Sequence, residues 1–161
     1  MKDERWEKYE LEIQKRIRYL FKNNFFFEII FLFSNVLEVE LKDLIDEYQK
    51  ACEHILNNEK INFYPRKFFY SDGKTLGELR KYTTSFIKDK NILKEIKIFN
   101  ELRIKTIHKL FDQNFKSLEQ EIEKFIPNFY KLMESLADIR ISIIVSVQKY
   151  ERKELVRKYK K

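Results

Sequence analysis

The chain has 161 residues, with 33 Lys and Arg against 26 Asp and Glu, for a formal net charge of +7. Only 2 Gly and 2 Pro occur, which argues against β-sandwiches, barrels and Gly-rich phosphate loops, since those folds need turn residues roughly every 8–12 positions. The 15 Phe, 9 Tyr and 1 Trp supply ample material for a core and argue against disorder, while a single Cys and two His leave no disulfide partner and no thiolate metal cluster.

Charged residues at 37% and apolar ones at 43%, with so few breakers, read as long amphipathic helices. The expected fold is all-α, an antiparallel bundle of four or five helices. One domain spans 1–148, and 149–161 forms a basic helix end or tail. The first helix runs from about 3 to 20 and stops at Asn23-Asn24. The second runs from 25 to 56 and opens on the most apolar stretch of the chain, 25–37. That stretch contains Glu28 and Asn35 and is shorter than the ~20 residues a membrane span needs, so it is expected to be a central core helix. No membrane is expected, and the charged start of the chain does not look like a signal peptide. The lone Cys52 suits a reducing, cytoplasmic compartment. His54, on the same helix, has no evident partner and reads as an ordinary surface histidine.

Residues 59–74 contain Pro65, Asp72 and Gly73 and read as the one substantial loop. Thr75-Leu76-Gly77-Glu78 has the form of a capping box, in which Thr and Glu satisfy free N–H groups at a helix start. The third helix therefore begins there and is expected to reach Lys88. A fourth spans 91–111. A second box, Ser117-Leu118-Glu119-Gln120, opens the last helix, in which Pro127 should cause a kink or a restart. The last helix is expected to end near Val156. Residues 149–161 carry seven Lys or Arg and two Glu, net +5 of the chain's +7. This basic end is either a solvated helix terminus or an arm for phosphates.

The fourth helix breaks the binary pattern. At about 100° per residue and with Ile96 at zero, Ile92, Phe99, Ile107, Leu110 and Phe111 lie within about 60° of it. Arg103 falls at about −20°, in the middle of that apolar face, with Asn100 at about +40° and His108 on the flank at about +120°. A charge there is costly unless paired. Two readings follow. Either Arg103 is bridged to an acid on a neighbouring helix, or this face meets a second subunit and Arg103 lines an anion-binding cleft, where its planar fork suits phosphate.

The stretch from Phe99 to Phe111, with Arg103 and His108 separated by four residues among Leu102, Ile107, Leu110 and Phe111, resembles the signature helix of the HEPN superfamily. Thr75-Leu76-Gly77-Glu78-Leu79 is similar to a segment often found before that helix in the family. The resemblance implies a metal-independent endoribonuclease without cofactors, possessing catalytic Arg103 and His108, and supporting Asn100, Lys105 and Thr106. It implies a homodimer through the fourth helix, with RNA or a nucleotide as ligand and a cognate antitoxin or nucleotidyltransferase as partner. In this reading Arg152, Lys153, Arg157 and Lys158 of the basic end bind RNA. Ile104 departs from the family's pattern, in which a polar residue often follows the Arg. That departure suits the alternative, a non-catalytic nucleotide-binding or interaction module. Leu110 stands where some toxins of the family carry a modified Tyr, so the resemblance does not extend to that control.

Overall fold

The computed structural model describes residues 4–59, 71–108 and 115–159, except for the side chains of 4–10, 108 and 158. It is an all-helical bundle of α1 (Glu4–Lys22), α2 (Phe26–Asn58), α3 (Leu76–Thr83), α4 (Lys90–His108) and α5 (Phe115–Tyr159). Most of the long loop, residues 60–70, lies outside the described residues. So do Leu110 and Phe111.

The helix ends follow local chemistry. Asn24 adopts the left-handed conformation, φ 58°, and the Phe25 N–H reaches the Leu20 carbonyl at 2.9 Å while the Asn24 N–H reaches Phe21 at 3.1 Å. These are the two bonds of a Schellman turn, with Asn in the position glycine usually takes. The Thr75 box closes as expected, the Glu78 carboxylate accepting the Thr75 N–H at 3.0 Å and its hydroxyl at 3.1 Å. Those bonds hold the Glu78 carboxyl below its ordinary range. Helix α3 stops at Thr83, five residues before the expected Lys88. Three consecutive hydroxyls, on Thr83, Thr84 and Ser85, donate back to the carbonyls of Arg80, Lys81 and Tyr82 at 2.7–2.8 Å. Such back-bonding competes with helix propagation. Asp89 then caps α4 by accepting the Asn91 N–H at 2.7 Å.

Helix α5 departs from expectation at its start. It begins at Phe115, so the Ser117 box lies inside the helix. It also runs unbroken through Pro127. Proline removes one N–H and frees the carbonyl four residues earlier. Both Glu123 and Pro127 are exposed, so water can satisfy that carbonyl without a restart.

Helix α2 is the centre of the bundle. Its stretch 25–37 buries Phe26, Ile29, Ile30, Phe33, Ser34 and Leu37, leaving Glu28 and Asn35 outside. No helix among the described residues is long and apolar enough to cross a membrane. Helices α1 and α2 form an antiparallel hairpin, as do α4 and α5, whereas α2 and α5 run parallel. Going up the latter pair, Phe33 meets Phe129, Glu40 meets Arg140, His54 meets Glu151, and Glu59 meets Arg157.

The core is aromatic where α2, α4 and α5 converge. Phe33 stacks on Phe129 with centroids 3.8 Å apart, and Phe99 lies 5.6 Å from Phe125 and 5.4 Å from Phe129. Phe33 is fully buried. Phe33→Ala is expected to cost about 3–5 kcal/mol, through lost transfer energy and the cavity left behind. Urea denaturation with an unchanged slope would measure it. A loss below ~1 kcal/mol would mean that the stack contributes little.

Candidate functional site

Arg103 lies one turn beyond Phe99, so the aromatic cluster fixes its helix against α2. Its Nη1 donates to Glu38 Oε1 at 3.0 Å, with both side chains about three-quarters buried. Arg103 is thus bridged to an acid on a neighbouring helix. The apolar face of α4 is also turned from its expected position. Ile96, Phe99, Leu102 and Thr106 are the buried residues, so the buried centre lies about 65° round the helix from Ile96. Arg103 lies about 45° from that centre, still on the packed face, with its side chain about one-fifth exposed beside Glu38. Ile107, expected inside, is exposed, as is Ile104.

The other supporting residues occupy separate environments. Thr106 is fully buried and its hydroxyl donates to the Leu102 carbonyl at 2.8 Å. Lys105 points to α5, where its Nζ lies 2.6 Å from both carboxylate oxygens of Glu121. Asn100 sits at the edge of the core with a buried Oδ1 that has no hydrogen-bond partner among the described residues, and the same holds for the buried Nε of Arg103. The side chain of His108 lies outside the described residues. The chemistry available among the described residues is therefore a guanidinium with one bound carboxylate and a free Nε, next to a free amide oxygen.

The basic end divides in two. Arg157 is held by Glu154 at 2.6 Å and approached by Glu59 at 3.8 Å, so its charge is largely neutralised within the chain. Arg152 and Lys153 are exposed and take no ion pair among the described residues. The side chain of Lys158 lies outside the described residues.

Sequence reasoning missed two polar clusters. Arg140 on α5 faces three carboxylates of α2. Its Nη2 lies 3.0 Å from Glu40 and 3.7 Å from Asp43, and its Nε lies 3.2 Å from Glu47. The signal was present, since acids at 40, 43 and 47 share one helix face. Burial pushes all three carboxyls above their ordinary values, opposed by the Arg140 charge. The second is His54, which does have partners. Its Nε2 lies 3.1 Å from Glu151 and 3.1 Å from the Asn58 amide. It accepts from Asn58 when Nε2 is unprotonated and donates to Glu151 when it carries the proton.

No family model, no curated protein and no solved structure matches this chain.

Proposed function

We propose that this chain is a HEPN-like, metal-independent endoribonuclease of the cytoplasm, working as a homodimer and serving as the toxin of a toxin–antitoxin or defence pair. The observation that carries the reading is the Arg103–His108 spacing on α4, with the Arg103 side chain about one-fifth exposed beside Glu38. RNA supplies its own nucleophile, the ribose 2′-OH. His108 removes that proton or protonates the leaving 5′-oxygen, a contribution of about 10²–10⁴-fold. Arg103 stabilises charge building on the phosphate oxygens. One His cannot easily act as acid and base in a single step. A second copy, meeting the exposed Ile104 and Ile107 of α4, brings a second pair.

The test is purified protein with RNA in EDTA, followed by analysis of product ends. Fragments ending in 2′,3′-cyclic phosphate that vanish in His108→Ala support the enzyme. No cleavage by the wild type overturns it. One observation favours the second reading, a non-catalytic nucleotide-binding or interaction module paired with a nucleotidyltransferase. The Glu38 partner already accounts for the charge of Arg103, and Ile104 offers no polar help beside it.

RNA binding by the basic end has its own signature. Arg152→Gln with Lys153→Gln is expected to reduce the salt slope of binding by about 1.4, as two fewer counterions leave a single strand. An unchanged slope would make this end a solvated helix terminus.

A further inference from the structure

The C-terminal half of α5 is apolar on two opposite sides. One side packs inward through Leu132, Leu136, Ile139 and Ile143. The other carries Ile141, Ile144, Val145, Leu155, Val156 and Tyr159, all exposed, with Ile141 at 58% and Tyr159 at 87%. At about 100° per residue these six fall within about 60° of Ile141, on the side away from α2. With Tyr130, also exposed, the face extends over about 44 Å, its large apolar side chains grouped at 130, 141–145 and 155–159.

The charges along it are ordered. Glu134 and Asp138 lie along its first half and Lys149 and Arg152 along its second; Glu134 and Arg152, both about 20° from Ile141, interrupt the apolar residues, and Asp138 and Lys149, at about 60° and 80°, border them on the same side. All four are exposed, and none has an ion pair among the described residues. Arg140, Glu151 and Arg157, by contrast, are paired within the chain. A surface that is acidic at one end and basic at the other, about a central point, fits itself when turned by a two-fold axis. One antiparallel register answers the charge order. Ile141 meets Val145 of the second copy, Glu134 meets its Arg152, Asp138 comes within one residue of its Lys149, and Val156 reaches its Tyr130. Antiparallel pairs bring same-edge positions together, as this requires. A parallel pair would set Glu134 against Glu134 and Arg152 against Arg152.

We infer that this stripe is a self-association surface, pairing antiparallel with the same stripe of a second copy through Glu134–Arg152 contacts. It does not rest on the ribonuclease reading, and it is a different surface from Ile104 and Ile107 on α4.

Charge reversal in the full chain tests it by sedimentation equilibrium, with circular dichroism to confirm that helix content is kept. Glu134→Lys and Arg152→Glu should each weaken the dimer roughly ten- to hundredfold, since each reversal repeats twice across the two-fold axis. The double variant should recover the wild-type constant, and an equimolar mixture of the two single variants should form a heterodimer. Ile107→Glu, on the α4 surface of the ribonuclease reading, separates the two contacts: an assembly constant that falls with Ile107→Glu and not with the α5 reversals would place the contact on α4 and overturn the inference. The inference is overturned by a wild type that stays monomeric at about 100 μM, by single variants that associate like the wild type, or by a double variant that fails to recover. It is also overturned if the protein stays monomeric and instead binds vesicles of anionic phospholipid through the stripe.

Discussion

Arg140→Met is expected to destabilise the protein by about 2–3 kcal/mol at pH 7.5. Removing the cation leaves Glu40, Asp43 and Glu47 facing α5 without compensation. Breaking a fully buried pair costs about 3–5 kcal/mol. Asp43 and Glu47 are more than one-third exposed, and water screens them, so the figure is discounted. For a domain of this size the melting temperature should fall by roughly 5–10 °C. The pH dependence distinguishes this mechanism from lost packing. An acid whose folded pKa lies above its unfolded value binds its proton more readily in the folded state, so stability falls as pH rises from the unfolded pKa through the folded one. The carboxyls of Glu40, Asp43 and Glu47 are all raised, by burial first. Without Arg140 they rise further, and the deficit should shrink on going from pH 7.5 to pH 5. A deficit constant across that range would mean that the methylene packing of Arg140, and not its charge, holds α5 to α2.

The same corner shows which features can be read along a chain and which cannot. The Thr75 box, the Asn23-Asn24 stop, the core role of 25–37 and the all-helical class follow from short-range pattern, because each is decided within a few residues. The early end of α3 was legible too, in three successive hydroxyls, but helical periodicity past Thr83 outweighed them. Pro127 left a kink and a restart both open, and the absence of a restart depends on exposure, which a sequence does not state. The orientation of α4 is a different matter. Ile107 and Phe99 are equally apolar in sequence, and only the packing of Phe99 against Phe125 and Phe129 decides which of them is buried. The bridge from Arg103 to Glu38 joins residues 65 positions apart, so periodicity raised it as one of two readings and had no means to choose. Nor does any local pattern announce that α2 and α5 run parallel, since strict up-and-down alternation through α3 and α4 would set them antiparallel.

That bridge makes the stability and the proposed chemistry of Arg103 separable. Arg103→Met alone should cost about 2 kcal/mol, because Glu38 is left largely buried without its cation. Loss of cleavage in that variant would therefore be ambiguous. Glu38→Met with Arg103→Met removes both charges and fills the space with apolar atoms, a replacement that is often neutral or stabilising. The double variant should melt within a few degrees of the wild type. If Arg103 stabilises the phosphate in the transition state, cleavage in the double variant stays down by about 10²–10³-fold, the scale of a lost oxyanion-type donor. Glu38→Met alone adds the opposite arm, since it releases the guanidinium from its carboxylate. RNA binding should then tighten while the fold weakens. Recovery of cleavage in the double variant alongside its stability would show that Arg103 serves α4 only as an anchor to α2.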